Sequence, residues 1–168
     1  MTSAIRAVAL DVDGVLTDGT FWWGSAGEEW KRFHFLDVMG IARALRGGVR
    51  FALISGEDSP LVARFAGKLG IEDVFTGCKD KAAALIQFAE RIDVPLGEVC
   101  FMGDDVNDVP ALAIAGVAAV PANAHYTAAR RAVIQTRAQG GNGAVRELLD
   151  HLADRGRLTM AYDTQFTK

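Results

Sequence analysis

The sequence predicts an α/β fold: a three-layer sandwich on a mainly parallel sheet. Two observations lead there. Short apolar runs alternate with helix-length segments along the chain, as expected for a sheet covered by helices on both faces. Four of those runs lead into polar clusters, and in an open parallel sheet the carboxyl ends of the strands share one crevice. The 168 residues are 50% hydrophobic, enough for one sizeable core but too few for a second large domain. We therefore expect one domain over residues 1–156 and a tail over 157–168.

The first strand is expected over Ile5 to Leu10, running straight into Asp11-Val12-Asp13-Gly14-Val15-Leu16-Thr17-Asp18-Gly19. Next, Phe21-Trp22-Trp23 and Trp30 to Phe35 flank a turn-forming Gly24-Ser25-Ala26-Gly27, which reads as a β-hairpin over about residues 20–35. It carries all three tryptophans. A two-stranded projection has little core of its own, so these aromatics point to a subunit interface. Further strands are expected at Arg50 to Ile54, Asp73 to Phe75, Val99 to Met102, Val117 to Val120 and Ala132 to Gln135. Helices are expected at Val38 to Arg46, Ser59 to Leu69, Lys81 to Ile92, Val106 to Ala115 and His125 to Ala129. A last helix, Gly143 to Arg155, has Val145, Leu148, Leu149 and Leu152 at helical spacing. The polar stretch after Gly156 reads as a frayed tail.

Composition excludes several classes of function. The net charge is -3 and no basic block could neutralise a run of nucleic-acid phosphates, so no nucleic-acid partner is expected. No run of about 18 apolar residues offers a membrane span, and Met1 to Arg6 lacks a secretory layout, so a cytoplasmic protein is expected. Cys78 and Cys100 are widely spaced and form neither a disulfide framework nor a zinc motif.

The chemistry is concentrated at the strand ends. Asp11 and Asp13 resist joint ionisation unless a cation or shared proton relieves their repulsion, which makes them a candidate reactive pair, Asp11 as nucleophile and Asp13 as acid/base; taken alone, the pair favours a polar turn over catalysis, and the other strand-end clusters change the balance. Ser55 offers a hydroxyl, and Gly56 an amide that can approach a phosphate oxygen at a helix start. Lys79 or Lys81 could stabilise phosphoryl charge. A hard cation with oxygen ligands would tie phosphate to the carboxylates. Mg²⁺ fits, with Asp104 as direct ligand, Asp105 and Asp108 supporting and Asn107 orienting its neighbours.

The order Asp-x-Asp-Gly-Val, Ile-Ser-Gly, Asp-Lys and Gly-Asp-Asp-x-Asn-Asp resembles the haloacid dehalogenase (HAD) superfamily over most of the chain. Val15-Leu16-Thr17-Asp18-Gly19, Gly140-Gly141-Asn142-Gly143-Ala144-Val145-Arg146-Glu147 and the short length are similar to the capless 3-deoxy-D-manno-octulosonate 8-phosphate (KDO 8-phosphate) phosphatase group. Its relatives include 2-keto-3-deoxynononate 9-phosphate (KDN 9-phosphate) phosphatase and phosphatase-like domains of acylneuraminate cytidylyltransferases. The resemblance implies a Rossmann-like HAD core with a hairpin flap and no cap domain, and a Mg²⁺-dependent phosphatase of a small sugar-acid phosphate working through an aspartyl phosphate. By resemblance, Asp13 protonates the leaving alcohol and its backbone carbonyl joins Asp11 and Asp104 at the metal. The same pattern selects Lys81, leaving Lys79 solvated, and implies a homotetramer whose subunits wall each other's sites.

Substrate-binding positions follow less directly. Ser55 and Gly56 would meet the phosphate end of the substrate, while Glu57 and Lys68 resemble polar positions of the nononate enzymes, with Arg64 displaced by one. Val38 replaces a glycine usual in the octulosonate enzymes and points away from them. Arg137 and the glycines Gly140 to Gly143 could bind a carboxylate. Other readings are a phosphatase of another small metabolite, phosphate transfer to a sugar, a non-catalytic sugar-acid-binding relative and a phospho-accepting receiver domain. Against the last, a receiver carries its acceptor on a middle strand, and Asp13 beside Asp11 would destroy a lasting signal.

Overall fold

The structure, a computed structural model, describes residues 4–161. Its strands are β1 (Ala7–Leu10), β2 (Trp22–Trp23), β3 (Glu29–Trp30), β4 (Arg50–Ile54), β5 (Asp73–Phe75), β6 (Val99–Met102), β7 (Val117–Val120) and β8 (Ile134–Gln135). The helices are α1 (Phe35–Arg46), α2 (Pro60–Leu69), α3 (Lys81–Arg91), α4 (Val109–Ile114), α5 (Tyr126–Ala129) and α6 (Ala144–Asp154). Six strands form one sheet in the order β5-β4-β1-β6-β7-β8, with every adjacent pair parallel. The strand before the nucleophile candidate is thus central, flanked by the strands that lead to Ser55 and to Asp104.

Side chains alternating along these strands feed two cores. Val8, Leu10, Phe51, Leu53, Cys100 and Met102 face one layer, where Ile41, Val62, Leu148, Leu149 and Leu152 of α1, α2 and α6 pack. Ala7, Ala9, Ala52, Phe101 and Ala118 face the other, against Leu85 and Phe88 of α3 and Leu112 of α4. Burying each such Leu or Phe contributes roughly 1.5–3 kcal/mol. Small residues at Ala7, Ala9 and Ala52 leave room for the bulky helix side chains on that face. This is the three-layer, mainly parallel architecture that the sequence predicts, and no further domain is inserted within residues 4–161.

Caps set several boundaries. Ser59 accepts from Leu61 N ahead of Pro60, and Gly70 closes α2 in the left-handed conformation. Asp80 caps α3 through Ala83 N at 3.0 Å. At α6 the N-terminal residue Gly143 has no side chain to cap with. Asp37 of α1 does so instead, its carboxylate accepting from Gly143 N at 3.3 Å and Arg146 N at 2.8 Å. Gly40 lets α1 and α6 approach closely, because a Cβ there would press on Arg146 and Leu149.

Three expectations need correction. The second hairpin strand stops at Trp30 instead of Phe35, and α1 begins at Phe35, three residues before Val38: His34 accepts from Leu36 N and starts the helix there. The helix expected over Val106 to Ala115 is split into a 3₁₀ turn, Val106–Asp108, and α4, because Asp105 and Asp108 form a capping box. The tail does not fray over 157–161. Leu158 and Met160 are buried, Ile5 N donates to Arg157 O and Ala161 N to Arg43 O. Tyr162 and Phe166 lie outside the described residues. Among the described residues no helix is long and apolar enough to cross a membrane.

Candidate active site

β1 ends in a tight turn in which Leu16 N and Thr17 N both donate to Val12 O, while Thr17 Oγ1 accepts from Gly14 N and Gly19 N. Gly14 has φ +93°, and a Cβ there would overlap the Asp104 carboxylate. Glycine therefore brings the β1 loop against the β6 loop. The C-terminal glycines press on the same turn. A Cβ on Gly140 would strike Gly14 O, one on Gly141 would strike Thr17 and Asp18 backbone, and Gly141 N donates to Val15 O.

Within this frame Asp11, Asp104 and Asp108 each place a carboxylate oxygen within 4.8 Å of the others. Lys81, at the start of α3, inserts its ammonium between two of them, 2.7 Å from Asp11 Oδ1 and 2.6 Å from Asp108 Oδ1. Burial and then the Asp108 charge push the Asp11 carboxyl well above its ordinary range, against the pull of Lys81. Burial, followed by Asp108, raises Asp104 to about 6. Burial works to lower Lys81, but Asp11 and Asp108 outweigh it and hold the amine above its ordinary value, so it stays protonated. Three carboxylates thus face one ammonium.

That donor set fits a hard divalent cation: it is all oxygen, partly buried and short of positive charge. The three acids are not equivalent. Asp108 Oδ1 is taken by Lys81, and Oδ2 accepts from Asp104 N at 2.8 Å and Asp105 N at 3.2 Å. Asp108 therefore braces the loop, and Gly103 has no Cβ that would collide with it. Asp105 is exposed and accepts from Val106 N at 2.7 Å. Asp11 and Asp104 are left to face a cation.

The remaining predicted residues divide. Ser55 is buried at the end of β4, its Oγ accepting from Glu57 N at 3.1 Å, and the Cα of Gly56 faces the Asn107 amide. Lys79 is not simply solvated, since its Nζ donates to Gly56 O at 3.3 Å and ties the β5 loop to the β4 loop. Asp13 lies apart from the carboxylate cluster: Oδ1 is 2.5 Å from Lys31 Nζ, and Oδ2 is buried without a hydrogen-bond partner. Glu57 and Lys68 are exposed. Lys68 lines a cleft of about 390 Å³ with Lys31, Phe33, Leu61, Arg64 and Phe65. Arg137 is not drawn into the cluster; its side chain is exposed and its backbone N–H donates to Glu147 Oε1.

Sequence reasoning missed Lys31 and Asp37. A lysine between Trp30 and Arg32 in a projecting hairpin reads as solvated, yet its side chain is only 3% exposed. Arg32 also escaped notice, although it reaches both Asp18 Oδ2 at 3.0 Å and Asn142 Oδ1 at 3.3 Å, linking the hairpin to the C-terminal glycine loop.

Known proteins resemble this chain in sequence and in fold. The family profile of haloacid dehalogenase-like hydrolases matches residues 28–116. The 3-deoxy-D-manno-octulosonate 8-phosphate phosphatase KdsC of Escherichia coli (strain K12) is 38% identical over 148 residues, which cover 88% of this chain and 79% of that protein. KdsC of Salmonella typhi is 38% identical over 154 residues, 90% of this chain and 82% of its own. Among solved structures, the Moraxella catarrhalis KDO 8-phosphate phosphatase bound to magnesium, phosphate and KDO is similar, with a TM-score of 0.87 and 33% identity over 89% of this chain and 86% of that one. The cobalt-bound Haemophilus influenzae enzyme has a TM-score of 0.87 and 35% identity, covering 90% of each chain.

Proposed function

Because the chain belongs to the haloacid dehalogenase-like hydrolases and to their KDO 8-phosphate phosphatase-like group, we propose that it is a Mg²⁺-dependent phosphatase of a small sugar-acid phosphate, with KDO 8-phosphate the first choice. The observation that carries this reading is the convergence of Asp11 and Asp104, at the carboxyl ends of the adjacent parallel strands β1 and β6, with Lys81 from the start of α3. Hydrolysis of a phosphate monoester demands one of the largest accelerations known, so charge must be handled at several points together.

Each role falls to a residue already placed. The Asp11 carboxylate would attack phosphorus and carry the phosphoryl group as an aspartyl phosphate. The leaving alcohol takes a proton from Asp13, which then accepts one from the water that hydrolyses the acyl phosphate. Ser55 Oγ–H and Gly56 N–H would donate to phosphate oxygens, with Lys81 balancing their charge. The Asp11 and Asp104 carboxylates and the Asp13 main-chain carbonyl would hold Mg²⁺, with Asp105 and Asp108 in support. Bound there, the ion supplies the positive charge that lets an anionic phosphate meet an anionic nucleophile.

For the sugar acid, the cleft combines the cations of Arg64 and Lys68 with the apolar surfaces of Phe33, Leu61 and Phe65, which suits a carboxylate on a carbon skeleton; Lys31 also lines it, but its ammonium is already paired with Asp13 and Glu29. Glu57 would meet its hydroxyls. Val38 does not argue against an octulosonate, because it packs half-buried against the core of α1, α2 and α6. The reading gives Arg137 no part.

The domain expected over residues 1–156, extended by the packed segment 157–161, would act as one catalytic unit, assembled as a homotetramer through the hairpins. We place the enzyme in the cytoplasm, where a charged phosphate ester that cannot cross a bilayer unaided would be retained with it. The test is phosphate release from KDO 8-phosphate, KDN 9-phosphate and common sugar phosphates, with Mg²⁺ and with chelator. Release should need the metal and vanish in Asp11→Asn; undiminished release by that variant would remove Asp11 from its role.

A further inference from the structure

We propose that Lys31 is a positioning residue for Asp13: it pins one oxygen of that carboxylate and leaves the other free for the leaving group. The proposal rests on the reading of Asp13 as the acid/base.

Lys31 follows β3 in the hairpin, and both sequence neighbours, Trp30 and Arg32, are exposed. Its own side chain is turned inward, with Nζ 2.5 Å from Asp13 Oδ1 and 3.1 Å from Glu29 Oε1. A buried ammonium demands partners, and it has two carboxylates. Glu29 is anchored in turn: both its oxygens lie 3.5 Å from Ser59 Oγ, the cap of α2, and the Phe21 ring lies 5.7 Å from Lys31 Nζ. The ammonium is therefore fixed from the hairpin side and from α2.

The consequence falls on Asp13. Free rotation about its side-chain bonds would scatter the carboxyl over positions that do not face the ester, and the negative cluster of Asp11, Asp104 and Asp108 would repel it. The contact with Lys31 fixes Oδ1, while Oδ2 stays buried and unpartnered, free for a new hydrogen bond. In the first half-reaction the bond from Asp11 oxygen to phosphorus forms, the ester P–O bond breaks, and the departing oxygen takes its proton from the Asp13 carboxyl. Misplacement of that carboxyl matters only when the departing alkoxide is too basic to leave without a proton.

Leaving-group dependence is the test, because a merely structural lysine would not produce it. Two esters without a carboxylate, glycerol phosphate and p-nitrophenyl phosphate, are compared by kcat/KM, so that any contact of Lys31 with a sugar acid does not enter. In Lys31→Met, kcat/KM for glycerol phosphate should fall roughly 10- to 100-fold, against less than about 3-fold for p-nitrophenyl phosphate. Lys31→Arg, which keeps the charge, should recover most of the loss. In an Asp13→Asn background, Lys31→Met should add less than about 3-fold, since the two act as a unit. Equal losses on both esters, as misfolding would also give, or additive losses in the double variant, overturn the proposal. If Asp13→Asn itself spares glycerol phosphate, the acid/base reading fails instead.

Discussion

Lys81 Nζ stands 2.6 Å from Asp108 Oδ1, with both side chains almost wholly withdrawn from water. Neither group touches the solvent that would compensate for losing the other. Breaking a buried pair by removing one partner costs up to roughly 3–5 kcal/mol, and here that is the upper bound for Asp108, because Lys81 keeps Asp11 at 2.7 Å. Asp108 also accepts from the backbone of Asp104 and Asp105, so its removal should loosen the loop that aims Asp104. We expect Asp108→Ala to lose stability up to that bound by urea unfolding, and Asp108→Asn, which keeps an acceptor for the two amides, to lose less. A loss below about 1 kcal/mol for the alanine variant would show that the pair does not brace the loop.

Much of this was legible beforehand because it is written in local pattern. Ala7 to Leu10 is apolar without interruption and ends in Asp11, so both the buried strand and the placement of the acid at its end follow from the residues. Gly103 to Asp108 could be placed in the same way. Lys31 could not, because its burial depends on where the hairpin folds in space. Leu158 and Met160 alternate with polar residues over too few positions to show a period, and only the groove between β1 and α1 gives them a core. Phe35 and Leu36 are exposed apolar residues at a helix start, a combination that reads equally well as strand.

Metal binding should separate two neighbouring acids. A cation that binds only the folded state at a hundredfold excess over Kd adds about 2.7 kcal/mol of stability. Mg²⁺ should therefore raise the thermal midpoint, and chelator should reverse the rise. Asp104→Asn should abolish the shift. Asp105→Asn should keep most of it, because that carboxylate caps the 3₁₀ turn through Val106 N. The reverse pattern in a thermal melt would exchange the two assignments.

Asp37 gives a pH dependence of defined sign. Burial holds its carboxyl above the ordinary value despite the backbone bonds from Arg146 and Gly143. On acidification the folded chain therefore takes up this proton before the unfolded chain does. The protonated form's contribution to stability is complete below the unfolded value, about 3.9, and is lost as pH rises through the folded value. Asp37→Asn cannot titrate. The stability of wild type relative to this variant should therefore decline as pH rises through that window, read from denaturant midpoints at stepped pH. A relative gain with rising pH would mean that the helix terminus of α6 dominates over burial.

The hairpin aromatics supply the last prediction. Phe21, Trp22, Trp23 and Trp30 are 57%, 59%, 74% and 54% exposed, clustered on a ribbon whose paired segments are two residues each. So short a ribbon cannot hide them, and contiguous apolar surface of this kind marks a contact with another protein surface. If the hairpins pack together in a homotetramer, each buried aromatic contributes on the order of 1.5–3 kcal/mol to assembly. In an isolated subunit the same exposed side chain would be close to neutral. Trp23→Glu combined with Trp30→Glu should accordingly convert a tetramer into monomers by light scattering at micromolar protein. Turnover should fall with it, because the hairpin also carries Lys31 to Asp13 and a neighbouring subunit would no longer exclude water from the site. A wild-type protein that stays monomeric at that concentration and remains fully active would dispose of the assembly and of this role for the tryptophans.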